Sequence, residues 1–172
     1  MKAFPVLGVA AIAILIGGGL FYLQSKPAPA VTYVPLPDSA ASETVAFRTL
    51  ESGGNAAKVA DPKYYAAYSQ AGLLRLWSLA HGSDGTLPPN VDFAKEYVIG
   101  VFAGQKPTGG YELRVTGVSE TKTTRTVSVT LSRPGAGCLT TEALTSPYVI
   151  IAVPVSDAAL THKESQTSVP CK

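Results

Sequence analysis

Two histidines, two cysteines and twelve carboxylates are the side chains through which this chain of 172 residues could carry chemistry. A metal site needs such groups to converge, and neither an HxH nor an HxxxH spacing brings His81 and His162 together. Both read as surface histidines, His81 at a helix end and His162 in a polar tail. Serines are many, but none sits in a GxSxG elbow. The carboxylates are scattered, with no pair flanked by the aromatic residues of a sugar cleft. Cys138 and Cys171 carry neither a CxxC spacing nor a histidine cluster, so a disulfide is their expected state, tying the C-terminal tail to the body. The pattern predicts no catalytic residue, no metal and no cofactor.

The remaining distinctive feature is a set of glycine- and proline-rich loops. They are KPTGGY at 106–111, RPGAGC at 133–138 and TSPY at 145–148. Gly109 and Gly110 admit positive φ, while Pro107 stiffens the entrance. A narrow, stiff loop of this kind presses its backbone into a partner without a large ordering cost. The partner-binding set read from the sequence is therefore Pro107, Thr108, Gly109, Gly110 and Tyr111, with Pro147 and Tyr148 supporting or flanking. The alternative for the same residues is an ordinary turn, with Tyr111 as the first core residue of its strand. No helix start and no Lys-Ser/Thr pair follows TGGY, so it is not a phosphate cradle.

The elements that position these loops are mostly β. EYVIGVFAG at 96–104 and YVIIAVPV at 148–155 are apolar on both faces, as strands covered on two sides are. YELRVTGV at 111–118 and RTVSVTLS at 125–132 alternate, and SETKT between them predicts a hairpin turn. TVAFRTL, from Thr44, has a short strand pattern, and ESGGNAAK reads as a mobile loop. One helix is expected within YYAAYSQAGLLRLWSLAHG. Ser69 caps its start, Leu73, Leu76, Trp77 and Ala80 form one stripe, and Gly82 stops it. The expected fold class is mostly β, an antiparallel β-sandwich-like domain with one packed α-helix.

Ahead of this domain, Phe4–Leu23 is a run of twenty residues without a charge. As a helix it matches the bilayer's core of roughly 30 Å, and Lys2 before it favours a cytoplasmic N-terminus. A signal anchor at 1–25 and a cleaved signal peptide, with APA at 28–30 as the cleavage site, both fit, and both put residues 31–172 outside the cytoplasm. Neither cysteine lies near the run, which argues against a lipoprotein. Residues 26–43, with Pro27, Pro29, Pro35 and Pro37, read as a semi-rigid linker, leaving an extracytoplasmic domain at 44–172. The net charge is +2, but Lys2 and Lys26 supply that excess, and no basic cluster exists for nucleic acid to bind.

YSQAGLLRLW, VDFAKEYVIGVFAGQKPTGGYELRV, PGAGC and TSPYVIIAVP, in that order, resemble the PrcB C-terminal family, named for a protease-complex subunit. The resemblance covers about residues 44–157. It rests on Asp92 and Phe93 at a strand start, on the loop of Gly104 and Pro107 to Tyr111, and on Thr145, Pro147 and Tyr148. It implies an exported, non-catalytic accessory protein with a protein partner, an exported protease or its complex. KPTGGY is also similar to the first loop of chagasin-type cysteine-protease inhibitors, which wedge three loops into a papain-like cleft. The three here are 107–111, 135–137 and 146–148. Lys106 stands in place of the expected Asn, and Ser146 and Tyr148 in place of Arg and Trp. A small-ligand or glycan-binding module is the remaining alternative.

Overall fold

A computed structural model describes residues 41–171. The linker's first residues and the apolar run Phe4–Leu23 lie outside them. Among the described residues, no helix is long and apolar enough to cross a membrane.

Among the described residues, eight strands and one helix occur in the order β1 (Glu43–Thr44), β2 (Arg48–Gly53), β3 (Lys63–Ala67), α1 (Gln70–His81), β4 (Glu96–Phe102), β5 (Glu112–Glu120), β6 (Thr124–Pro134), β7 (Tyr148–Pro154) and β8 (Ala159–Val169). They form two four-stranded sheets, β1-β5-β6-β8 and β2-β7-β4-β3. All pairings are antiparallel except β6 with β8, which run parallel from Thr124↔Ala159 to Pro134↔Val169.

The doubly apolar strands occupy the middle of the second sheet, because that sheet is covered on both faces. Tyr97, Ile99 and Val101 of β4, with Val149, Ile151 and Val153 of β7, meet Leu113, Val118, Val127 and Val129 of the first sheet. Val98, Phe102, Tyr148, Ile150 and Ala152 turn the other way, onto Leu73, Leu76, Trp77 and Ala80 of α1. The helix starts where Ser69 accepts from the Gly72 N–H (3.2 Å) and stops at Gly82, whose φ is 68°. It packs close because Gly100 lies beneath it, where a Cβ would come within 2.8 Å of the Leu76 side chain.

Five expectations change. TVAFRTL is not one strand. β1 pairs with β5 and β2 with β7, and the chain crosses between sheets at 45–47, leaving Val45 and Phe47 against the intersheet core. ESGGNAAK is structured: β2 runs to Gly53, Asn55 bridges Ser146, and Ala56 is buried. The segment before the helix, Lys63–Ala67, is strand β3 on the edge beside β4. Asp92 does not start a strand. Its carboxylate accepts from the Ala94 N–H (3.1 Å) in a turn that delivers the chain to β4 at Glu96. The polar tail holding His162 is β8, whose side chains are all exposed and which carries no apolar alternation to reveal it.

Cys138 and Cys171 are bonded to each other, so the C-terminal end of β8 is fastened to the segment after β6. The bond closes a separation of 33 residues. Replacing both cysteines by serine lowers stability by about 3–4 kcal/mol, read as a lower denaturant midpoint in the non-reduced protein. Hydrogen exchange in the Gln166–Val169 end of β8 accelerates more than exchange in β4.

Candidate functional site

KPTGGY is not a hairpin turn. β4 belongs to one sheet and β5 to the other, so 103–111 carries the chain across the end of the sandwich. Residues 135–147 make the reverse crossing, from β6 to β7. The two crossings run side by side and hydrogen-bond to each other. Lys106 N–H donates to the Thr145 carbonyl at 2.7 Å, Thr145 N–H returns to the Lys106 carbonyl at 3.0 Å, and Gly109 N–H donates to the Thr141 carbonyl at 3.0 Å. The Thr145 hydroxyl adds a bond to the Thr108 carbonyl at 2.8 Å, and Lys106 Nζ donates to the Ala103 carbonyl at 2.7 Å.

Both glycines are required here, for different reasons. Thr141 Oγ1 occupies the space into which a Cβ on Gly109 would project. Gly110 has φ 82°, and a Cβ there would meet Pro134 at an ordinary 3.5 Å, so its constraint is backbone conformation rather than space. Gly110→Val therefore costs about 1–3 kcal/mol, leaves the domain folded, and lowers its thermal midpoint. A larger loss that removes the cooperative transition would make the loop a folding element instead.

The rest of this end is equally tied. Ser146 N–H donates to the Gly54 carbonyl (2.7 Å), Gln105 N–H to the Ala60 carbonyl (2.7 Å) and Gly135 N–H to the Val169 carbonyl (2.8 Å). The Ser146 hydroxyl donates to the Val59 carbonyl at 2.8 Å. Pro107 and Gly110 are exposed, Thr108, Gly109 and Tyr111 are half-buried, and a shallow cleft opens between Tyr111 and Gly53–Gly54. Above this frame, Leu139 is fully exposed and Leu144 is 66% exposed. Two bare leucines on one hydrogen-bonded crossing, beside a half-buried tyrosine, are the apolar offering of this end.

Pro147 and Tyr148 lie below the surface. Pro147 is fully buried, and the Tyr148 hydroxyl donates to Glu51 Oε1 at 2.8 Å. Burial raises the pKa of that hydroxyl above the tyrosine range, and the adjacent Glu51 carboxylate adds to the rise. These two residues anchor the second crossing from beneath. A three-loop wedge of the chagasin kind needs 146–148 at the surface, and Ser146, Pro147 and Tyr148 are all buried. The sequence reading missed Thr141, Leu139 and Leu144. They stand in a threonine-rich stretch without periodicity, bounded by Cys138 and Pro147.

His81 is not a surface residue. Its side chain is 15% exposed and lies between Glu51, at 3.0 Å from Nε2, and Asp84, at 3.3 Å from Nδ1. The ring stacks on Trp77 with centroids 5.0 Å apart. His162 stacks on Tyr64 at 3.7 Å. Among the described residues, no three His, Cys, Asp or Glu side chains converge as a metal site would require.

No curated protein and no solved structure matches the chain. The model of the PrcB C-terminal family does match, over residues 97–154, from the second residue of β4 to the last of β7, and both crossings that build the loop end fall inside that span.

Proposed function

We propose that the domain is a non-catalytic, extracytoplasmic protein-binding module that serves as an accessory subunit of an envelope protease complex. The observation that carries this reading is the pair of crossings, 103–111 and 135–147, hydrogen-bonded into one frame that presents Leu139 and Leu144. A frame already ordered before binding loses little conformational entropy when a partner closes on it. Apolar anchors on a fixed backbone are what the centre of a protein interface uses. Gly109, Gly110 and Tyr111 supply the adjacent backbone edge, and Pro147 and Tyr148 hold it from below.

Placement outside the cytoplasm rests on the apolar run Phe4–Leu23 and on the Cys138–Cys171 bond, since disulfides persist in oxidising compartments. The protease connection rests on the family match. The test is affinity capture of the full-length protein from its native envelope after crosslinking, with Tyr111→Ala and Leu139→Ser/Leu144→Ser forms in parallel. Recovery of a protease or its subunit with the parent, and its loss with the leucine variant, supports the reading. Equal recovery with every form places the contact elsewhere.

A further inference from the structure

We infer that the outer edge of β8 is a second docking surface, which takes an extended segment of a partner protein as an added strand. β8 is the last strand of its sheet, so among the described residues one of its sides has no strand neighbour. Ala159 N–H donates to the Thr123 carbonyl, and the Val169 carbonyl accepts from Gly135 N–H, both at 2.8 Å. Odd-numbered residues therefore face β6. Strand alternation then turns the N–H and C=O groups of Leu160, His162, Glu164 and Gln166 to the free side. That is a run of unpaired donors and acceptors of the kind that strand addition uses.

Beneath this edge, the seam between β8 and β3 holds two hollows. One, of about 110 Å³, has Val101, Leu113, Val129 and Leu131 in its lining, with Lys106 and Gln166. The other, of about 90 Å³, lies over Ile99 and Val127 beside Leu160 and His162. From β8, Glu164–Gln166 line the first and Leu160–His162 the second, so the midpoints of the two lining stretches lie four residues apart along the strand. A ridge separates them, made by Tyr64, which stacks on His162 and donates its hydroxyl to Glu164.

An added strand turns every second side chain inward, so residues i and i+4 reach the two hollows and residue i+2 meets the ridge. Each hollow has room for an aliphatic side chain such as leucine. Glu164 presents a carboxylate at the ridge, which favours a cation at i+2. The partner segment therefore reads apolar-x-basic-x-apolar. This surface lies along the side of the sandwich, and only its first hollow touches the loop end, through Ala103 and Lys106.

The probe is a short acetylated, amidated threonine-based peptide with leucines four positions apart and a lysine midway, titrated into the full-length protein. A control peptide has its leucines three apart. The spaced peptide binds, and the control binds at least about tenfold more weakly. Gln166→Pro removes a donor on the free side while sparing the ladder to β6, and it weakens binding at least about tenfold with an unchanged unfolding midpoint. Glu164→Lys weakens the lysine-centred peptide and restores binding to a glutamate-centred one. Equal binding of both peptides, no binding at all, or unaltered binding to Gln166→Pro and Glu164→Lys overturns the proposal. Self-association that Gln166→Pro disperses would assign the edge to a second copy and overturn the choice of partner.

Discussion

Replacing Arg125 by alanine lowers the unfolding free energy by about 3–5 kcal/mol, the range for stranding one partner of a buried ion pair. Arg125 is only 3% exposed although it carries a full charge. It sits at the sandwich end opposite the loop cluster, where its guanidinium donates to the Glu120 carboxylate and to the Pro154 carbonyl. The same group reaches the Tyr97 hydroxyl at 3.4 Å and lies 5.6 Å from the centre of that ring. Glu120 accepts in turn from the Ser156 hydroxyl at 2.9 Å. The guanidinium thus fastens the β5–β6 hairpin of one sheet to the end of β7 in the other. Its removal leaves a carboxylate and a backbone carbonyl without their donor, and a void beside Tyr97. Because Glu120 keeps a quarter of its side chain in water, the loss falls toward the lower end of that range. Arg125→Met with Glu120→Leu recovers most of it, since well-packed apolar pairs often replace buried ion pairs at no net loss. Urea unfolding of the three forms decides. A single variant within about 1 kcal/mol of the parent would mean that the pair is already hydrated.

The second large effect is expected at Trp77. Trp77→Ala costs about 3–5 kcal/mol, as large-to-small changes at buried aromatic positions do. The indole is 4% exposed and anchors α1 over the second sheet. Its Nε1–H is buried with no hydrogen-bond partner among the described residues, a standing penalty that the surrounding packing offsets. Trp77→Phe removes that penalty together with part of the ring, so its loss is well under half that of Trp77→Ala. Thermal unfolding of the pair of variants reads the difference. A phenylalanine variant as damaged as the alanine one would mean that the N–H is satisfied in solution.

These two residues differ in how far the sequence announced them. Trp77 falls on the apolar stripe with Leu73, Leu76 and Ala80, and helical periodicity alone places it in the core. Arg125, the second residue of β6, shares the inward face of Val127 and Val129, so strand alternation points it at the core, but its charge argues for water and masks that signal. The same division holds across the fold. β4 and β7 were legible because burial on both faces leaves a continuous apolar run. β8 was not, because its side chains are exposed throughout and its partner β6 is parallel and distant in sequence. β3 was lost because Tyr64–Ala67 runs into the helix with no breaker before Ser69.

At the candidate site, the glycines were visible and their reasons were not. The sequence shows two adjacent glycines after a proline. It does not show that Thr141 stands over the first, or that the second crossing holds the loop by backbone bonds. Nor does it separate Leu139 and Leu144, left in water, from Pro147 and Tyr148, drawn into the core. Exposure of an apolar side chain is a tertiary property, set by which crossing lies on top.

The most direct test of the central claim is site-specific photocrosslinking in the native envelope from two positions of the full-length protein. One is Leu139, on the loop end; the other is Lys122, on the β5–β6 turn at the far end. A protease or a subunit of its complex, crosslinked from position 139 and not from 122, is the predicted result. No protein adduct from 139, or the same adducts from both positions, would contradict the account.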